Sequence, residues 1–258
     1  MTVAAVDRIA LESKVKSMYS DVAENPRGEF HFEMGRAMAE RLGYAPSDLD
    51  RIPPESIESF AGVGYFFDLA ALRVGESVVD LGSGSGMDSF VAALKVEPGG
   101  RVVGVDMTDA QLAKAERLAS AAGIANVTYR KAYIEDTGLE SGSVDCVISN
   151  GVINLAADKA RVFQEAARLL KPGGRLAISD IVTELPLPPN VVCNADLWAA
   201  CIGGAAQQDD YRSAIEMAGL RVARVVDNDG YRFISERARK ATDKWHVKSV
   251  SILALKDR

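Results

Sequence analysis

A glycine-rich turn between a strand pattern and a helix pattern constrains the fold of this chain more than any other feature. In ESVVDLGSGSGMDSF, residues 76–90, an apolar β-branched run is followed by Gly82, Gly84 and Gly86, and then by residues with helical spacing. Glycines allow backbone to come close to a ligand. At the carboxyl end of a strand, such a turn predicts a nucleotide-type site.

Strand and helix patterns alternate along the chain from about residue 71. Five apolar runs are predicted as strands: ESVVDL, RVVGVDM, VTYRKAY, VDCVISNGVINL and RLAISDIV. Short apolar strands joined by helices predict an α/β fold with a doubly wound, mostly parallel sheet. RVARVVDN and VKSVSILALK bring the expected number of strands to seven. We expect the last strand to be antiparallel, and the sheet edge is one place where it could pair.

Two segments lie outside this alternation. Residues 1–70 contain helix patterns, turn prolines and aromatic patches, and we predict a helical cap there, with the α/β domain over 71–258. Residues 183–208 interrupt the sheet after the fifth strand and are predicted to be a substrate-side insertion. Ligands bind open α/β sheets outside the carboxyl ends of the strands. Both segments are therefore expected to lie over that edge.

Composition argues against several classes of partner. The net charge of −6 over 258 residues disfavours nucleic acid, which binds basic surfaces. No apolar run approaches the roughly 20 residues that span a bilayer, and the N-terminus lacks an apolar signal core, so a cytoplasmic protein with no membrane partner is expected. The three cysteines and two histidines lack metal-site spacing, and no metal is predicted. The oligomeric state stays open.

The charges around the glycines narrow the choice of ligand. The spacing is GxGxG, and Met87 stands where a dinucleotide-binding turn would have its third glycine. A carboxylate at Asp80 opposes a pyrophosphate and suits an ammonium or sulfonium group. Asp106 ends the second strand, where a carboxylate can accept both hydroxyls of a ribose. S-adenosylmethionine combines these features, and an NAD-dependent oxidoreductase is disfavoured.

The motifs VVDLGSGSG, GVDMT, AYIEDTGLESGSVDCVISN and RLLKPGGRLAISD resemble those of class I, Rossmann-like S-adenosylmethionine-dependent methyltransferases. The resemblance implies that S-adenosylmethionine is the cofactor and that the chain transfers a methyl group from it. It also implies a set of cofactor-binding residues: Tyr19, Asp80, Gly82, Gly84, Gly86, Asp106, Met107, Ile134, Glu135 and Asn150.

Within that superfamily, ISNGVINLAADKARVFQEAARLLKPGGRL and DLWAACIGGA are similar to the arsenite methyltransferase group, which binds trivalent arsenic through three cysteines. This sequence has Val63 and Gly151 at two of those positions, and only Cys201 matches. Cys193 lies eight residues before Cys201, and on one helix the two would be roughly 12 Å apart, too far to chelate one atom. In a loop the two cysteines could still come together. A soft ion requires converging thiolates. The resemblance therefore leaves arsenite as an alternative substrate.

Methyl transfer from a sulfonium requires alignment of the nucleophile, and it requires a base only when the nucleophile arrives protonated. The sequence therefore does not identify a catalytic residue. His31 and Cys201 are the candidates for that role. Tyr65, Trp198 and Cys201 are predicted to contact a small-molecule substrate. Each has an alternative interpretation as a packing residue. A non-catalytic module that senses S-adenosylmethionine is the hypothesis from another functional class.

Overall fold

The structure is a computed structural model that describes residues 7–188, 191, 203–234 and 236–258. Most of the predicted insertion therefore lies outside the described residues. The candidates Trp198 and Cys201 lie outside them as well, as does Cys193.

A single mixed sheet forms the centre of the molecule, with strand order β3-β2-β1-β4-β5-β8-β7. The strands are β1 (Ser77–Leu81), β2 (Arg101–Asp106), β3 (Val127–Lys131), β4 (Val144–Asn150), β5 (Leu170–Thr183), β6 (Ala206–Gln207), β7 (Leu220–Asp227) and β8 (Val247–Lys256). Strands β1 to β5 are parallel, and β8 is antiparallel to both β5 and β7. The predicted doubly wound, mostly parallel sheet with an antiparallel last strand is confirmed.

The ends of the sheet differ from the expectation in two details. Strand β8 lies inside the sheet, between β5 and β7, because its residues are largely buried whereas β7 is exposed over most of its length. The two-residue strand β6 pairs parallel with β5 and makes an eighth strand, which is too short to leave a pattern in the sequence.

Helices cover both faces of the sheet and its carboxyl edge. They are α1 (Arg8–Glu24), α2 (Arg36–Leu42), α3 (Pro46–Leu49), α4 (Pro54–Glu58), α5 (Phe67–Ala70), α6 (Met87–Val96), α7 (Asp109–Ala121), α8 (Lys159–Leu169), α9 (Gln208–Met217) and α10 (Glu236–Trp245), with a 3₁₀ turn at Ile153–Leu155. The predicted fourth strand is shorter than expected. Gly151 has φ +73°, a left-handed conformation that ends β4 and starts the turn.

Three clusters of apolar side chains hold these layers together. One contains Met38, Tyr44 and Phe60 of the N-terminal region together with Val78 and Phe90 of the sheet layer. The N-terminal region therefore shares a core with the α/β part, and a boundary at residue 70 stays a prediction. The second cluster lies under α8 and α9, and the third lies beneath α1 at the carboxyl edge. None of the described helices is both long and apolar enough to span a membrane.

Candidate functional site

A cavity of about 280 Å³ lies at the carboxyl ends of β1, β2 and β4, beneath α1. Its size is close to the lower end of the range for small-ligand sites, about 300–1,000 Å³. Nine of the ten predicted cofactor residues line it: Tyr19, Asp80, Gly82, Gly84, Asp106, Met107, Ile134, Glu135 and Asn150. Residues scattered over more than 130 positions of sequence thus meet at one sheet edge, as strand ends do in a doubly wound fold.

Tight packing explains why two positions of the turn are occupied by glycine. A Cβ at Gly82 would lie 2.4 Å from Val152 Cγ2, and one at Gly86 would lie 2.2 Å from Tyr129 Oη. All three glycines have positive φ. The tenth predicted residue, Gly86, is outside the cavity lining, because it starts α6 and faces the Tyr129 ring beneath the turn. At Gly84 the atom nearest to an added Cβ would be 3.7 Å away, so the backbone at Gly84 has an open face.

The Asp106 carboxylate is held by backbone amides on both of its oxygens. Gly84 N donates to Oδ2 and Thr108 N donates to Oδ1, each at 2.9 Å. Burial raises the pKa of Asp106, and these hydrogen bonds oppose the shift. A carboxylate oxygen accepts more than one hydrogen bond. Asp106 therefore retains acceptor capacity for two vicinal hydroxyls.

Asp80 and Asp88 are two further buried carboxylates in the cavity lining, 2% and 6% exposed. Asp80 Oδ2 accepts from Ser89 Oγ at 2.7 Å. Asp88 Oδ1 accepts from Tyr44 Oη at 2.5 Å. The sequence reasoning missed Asp88, because an acidic residue in the first turn of a helix usually serves the helix dipole alone.

Asn150, at the end of β4, joins the sheet to the segment 61–65. Its Oδ1 accepts from Val63 N at 2.8 Å, and its Nδ2 donates to Gly64 O and to Asp88 Oδ2, each at 3.0 Å. A Cβ at Gly62 would lie 2.7 Å from Asn150 Nδ2, so the segment runs close to this side chain. The amide therefore fixes the cap against the sheet at the cavity wall.

Helix α1 lies over the cavity and is tied to α7. Gln111 Nε2 donates to the Tyr19 carbonyl at 2.8 Å, and Lys114 Nζ donates to the Ala23 carbonyl at 3.0 Å. Gln111 Oε1 also accepts from Ser85 Oγ at 2.5 Å, so the same side chain contacts the glycine turn. Gln111 was missed by the sequence reasoning, since a lone glutamine in a helix carries no distinctive pattern.

The cavity lining also includes Met107, Ile134 and Glu135. Burial raises the pKa of Glu135. Beside it, Lys16 Nζ of α1 donates to Glu12 Oε1 at 2.6 Å and to Tyr133 Oη at 3.0 Å. These contacts are largely exposed, and pairs of this kind contribute about 0–1 kcal/mol.

The predicted substrate residue Tyr65 and the candidate catalytic residue His31 do not line the cavity. The Tyr65 ring packs against Tyr44 and Phe67, at centroid distances of 5.0 and 5.7 Å. Burial raises the pKa of Tyr65 to about 12. The His31 ring stands edge-on to Phe32 at 4.7 Å. Both contacts fit the packing interpretation of these residues.

The residues present fit an S-adenosyl ligand. Ser83 Oγ is buried in the cavity wall and has no hydrogen-bond partner among the described residues. It therefore offers a polar contact to a ligand beside the open face of Gly84. The carboxylates of Asp80 and Asp106 both line this cavity, where they can serve an amino-acid group and a ribose. Within the described ranges, no group of three or more His, Cys, Asp or Glu side chains is arranged to hold a metal ion.

Comparisons with known proteins agree with this geometry. A family model described as a methyltransferase domain matches residues 72–219. The arsenite methyltransferase of Halobacterium salinarum is 39% identical over 77% of this chain and 51% of its own length, and the human one is 39% identical over 58% and 42%. The chain therefore spans about half the length of these curated relatives.

Solved structures show the same fold. An arsenic (III) S-adenosylmethionine methyltransferase from Chlamydomonas reinhardtii is 32% identical, with a TM-score of 0.65 over 88% of this chain and 75% of that one. A geranyl diphosphate C-methyltransferase from Streptomyces coelicolor A3(2), solved with S-adenosyl-L-homocysteine, has a TM-score of 0.69 at 20% identity and covers 98% of this chain and all of that one. The chain belongs to the S-adenosylmethionine-dependent methyltransferase family of Rossmann-like fold.

Proposed function

We propose that this chain transfers the methyl group of S-adenosylmethionine to a small-molecule acceptor. The observation that carries the proposal is the single cavity in which Asp80, Asp106 and the open face of Gly84 meet. Its other acidic side chains, Glu12, Asp88 and Glu135, favour a ligand with positive charge. The same carboxylates oppose a pyrophosphate, which argues against a dinucleotide.

Each end of the cavity has a separate task in this proposal. Asp106, held rigid by two amides, accepts the ribose hydroxyls, and Met107 with Ile134 packs on the adenine. Asp80 and Asn150 hold the amino-acid group. Bound S-adenosylmethionine supplies a methyl group on a sulfonium that is already activated as a leaving group. The protein then orients the acceptor and excludes water, which is the role of α1 over the cavity.

Two buried positions bear on the nature of the acceptor. Val63 is 1% exposed, and a Cβ at Gly151 would lie 3.1 Å from Val63 Cγ1. These are the positions at which the arsenite methyltransferase resemblance places cysteines, and in this chain they meet as an apolar contact. Arsenic binding depends on converging thiolates. This contact therefore supports an organic acceptor.

Methylation of arsenite is the second candidate, and the names of the similar proteins favour it. In this candidate Cys201 supplies one thiolate and a small thiol from solution supplies the others. Val63 and Gly151 have no thiol and cannot bind arsenic. A Cys201→Ser variant separates the two candidates, because arsenic binding requires the sulfur whereas serine keeps a small polar side chain for contact with an organic acceptor.

The test is transfer of label from methyl-labelled S-adenosylmethionine. One tube holds the protein with a small-metabolite extract, and another holds it with arsenite and a thiol. Label in an organic product, unchanged in Cys201→Ser, supports the proposal and identifies the acceptor. Labelled methylarsenicals that disappear in Cys201→Ser establish the second candidate. Cofactor binding without transfer to either acceptor would favour a sensor and contradict the proposal.

A further inference from the structure

Asp80 and Asp88 stand in the same buried wall of the cavity without a basic partner. Among the described residues, neither carboxylate forms an ion pair with Lys, Arg or His. Lys95, on the same helix as Asp88, pairs instead with Asp48 at 2.9 Å. Two buried carboxylates so placed cannot both be charged without a large energetic cost.

The groups that face this pair are neutral or acidic. The side-chain donors are the hydroxyl of Ser89 to Asp80, and the hydroxyl of Tyr44 and the amide of Asn150 to Asp88. The titratable groups that interact with the pair from neighbouring elements are Tyr44, Tyr65, Asp106 and Tyr129. None of these side chains can neutralise a second negative charge.

The two carboxylates differ in how well they tolerate charge. Asp88 is in the first turn of α6, where the helix dipole stabilises an anion, and both of its oxygens accept hydrogen bonds. Asp80 ends a strand and has Ser89 as its side-chain donor. Burial and the charge of Asp88 raise the pKa of Asp80 to about 8, and burial raises the pKa of Asp88 to about 6. At neutral pH the pair therefore carries about one negative charge.

We propose that Asp80 and Asp88 form a cation-binding pair that holds one proton in the free protein and releases it when the α-ammonium group of the cofactor binds. The inference rests on the proposed function and adds Asp88 to the cofactor site. The entering cation stabilises the doubly ionised pair, so the proton moves from the Asp80 carboxyl to solvent. Asn150, bonded to both Asp88 and Gly64, connects this event to the segment 61–65.

Calorimetry with two ligands tests the proposal on the wild-type protein. S-adenosylhomocysteine carries the ammonium group, and 5′-methylthioadenosine lacks it but retains the adenosine and the sulfur. At pH 7, in buffers of different ionisation enthalpy, we expect release of about one proton with the first ligand and almost none with the second. Equal proton counts for the two ligands would overturn the inference.

Two variants test whether the proton released on binding comes from Asp80. Asp80→Asn keeps the shape and cannot titrate, so proton release on binding S-adenosylhomocysteine should vanish. Asp180→Asn is the matched control, because Asp180 is fully buried and accepts from Tyr211 Oη at 2.6 Å but does not line the cavity. Release should persist there, and persistence in Asp80→Asn would contradict the assignment.

The calorimetry also distinguishes a failure of this inference from a failure of the proposed function. Tight binding of S-adenosylhomocysteine with no proton released leaves the proposed function intact and overturns the inference alone. Failure of both ligands to bind contradicts the proposed function, and the inference falls with it. The comparison of ligands needs only wild-type protein, so it decides the matter even if Asp80→Asn does not fold.

Discussion

The site has a polar side, which lines the cavity, and an apolar side, the contact between Val63 and Gly151 just outside that lining. The two sides are built in different ways. On the polar side, carboxylates are held by amide and hydroxyl donors of several elements, as when Gly84 N and Thr108 N hold Asp106. On the apolar side, Val63 and Gly151 meet through packing between segments almost 90 positions apart. A ligand with fixed charges needs specific polar groups at specific places, whereas an apolar contact depends on shape. Under the proposed function, the polar side recognises the cofactor and the apolar side is free to vary with the acceptor.

The largest expected effect comes from the glycine turn. Gly82→Ala adds a Cβ 2.4 Å from Val152 Cγ2 at φ +75°, so strain and overpacking together should cost on the order of 4 kcal/mol of unfolding free energy. Gly75→Ala is the matched control, since Gly75 has φ +85° with nothing within 4 Å of the added atom. Denaturant unfolding measures both variants. Equal losses would mean that Val152 moves aside and that the turn is not tightly packed.

The next effect is on the pH dependence of stability without ligand. The pKa of Asp80 is raised to about 8 in the folded protein, against about 3.9 for a free side chain, so its proton is held more tightly in the folded state. Its contribution to stability is therefore full below about pH 4 and is lost as pH rises towards and through 8. Asp80→Asn should lose less stability than wild type between pH 5 and pH 9, by up to about 4 kcal/mol, because each pH unit between 5 and the folded-state pKa of about 8 counts for about 1.36 kcal/mol.

Denaturant unfolding at the two pH values measures this difference, and Asp109→Asn serves as the control because its side chain is 79% exposed. Parallel pH curves for wild type and Asp80→Asn would show that Asp80 is already ionised in the free protein. That result would also count against the proton-holding pair.

The third effect concerns the ribose end. Asp106→Ala should weaken S-adenosylhomocysteine binding by about 2 kcal/mol or more, because it removes acceptors and leaves the Gly84 and Thr108 amides without partners. Asp109→Ala, three residues along and outside the cavity, should bind as wild type does. Calorimetry measures both. Unchanged affinity in Asp106→Ala would remove the residue from the site and weaken the contrast between the two sides.

The contrast also explains which parts of the site were predictable from the sequence. The strands, their order of appearance and the glycine turn follow from local patterns, and these positioned Asp80 and Asp106 correctly at the sheet edge. Asp88 and Gln111 were missed because their importance lies in distant partners, Tyr44 and the Tyr19 carbonyl. The place of β8 inside the sheet depends on competition between two strands for burial. Such outcomes arise from tertiary packing and leave no local signal.

The smallest expected effect lies at the exposed contact of α1 with Tyr133, a residue of the cavity lining. Lys16→Met removes the hydrogen bonds from Lys16 Nζ to Glu12 and Tyr133 but keeps the aliphatic stem. Because these groups are exposed and screened, the loss of unfolding free energy should stay within about 1 kcal/mol. Gln111→Leu, which breaks the buried contact to the Tyr19 carbonyl, should cost more, about 1–3 kcal/mol. If Lys16→Met instead weakened S-adenosylhomocysteine binding more than Gln111→Leu did, α1 would be held over the cavity by its exposed contacts, and the buried bonds to α7 would be secondary.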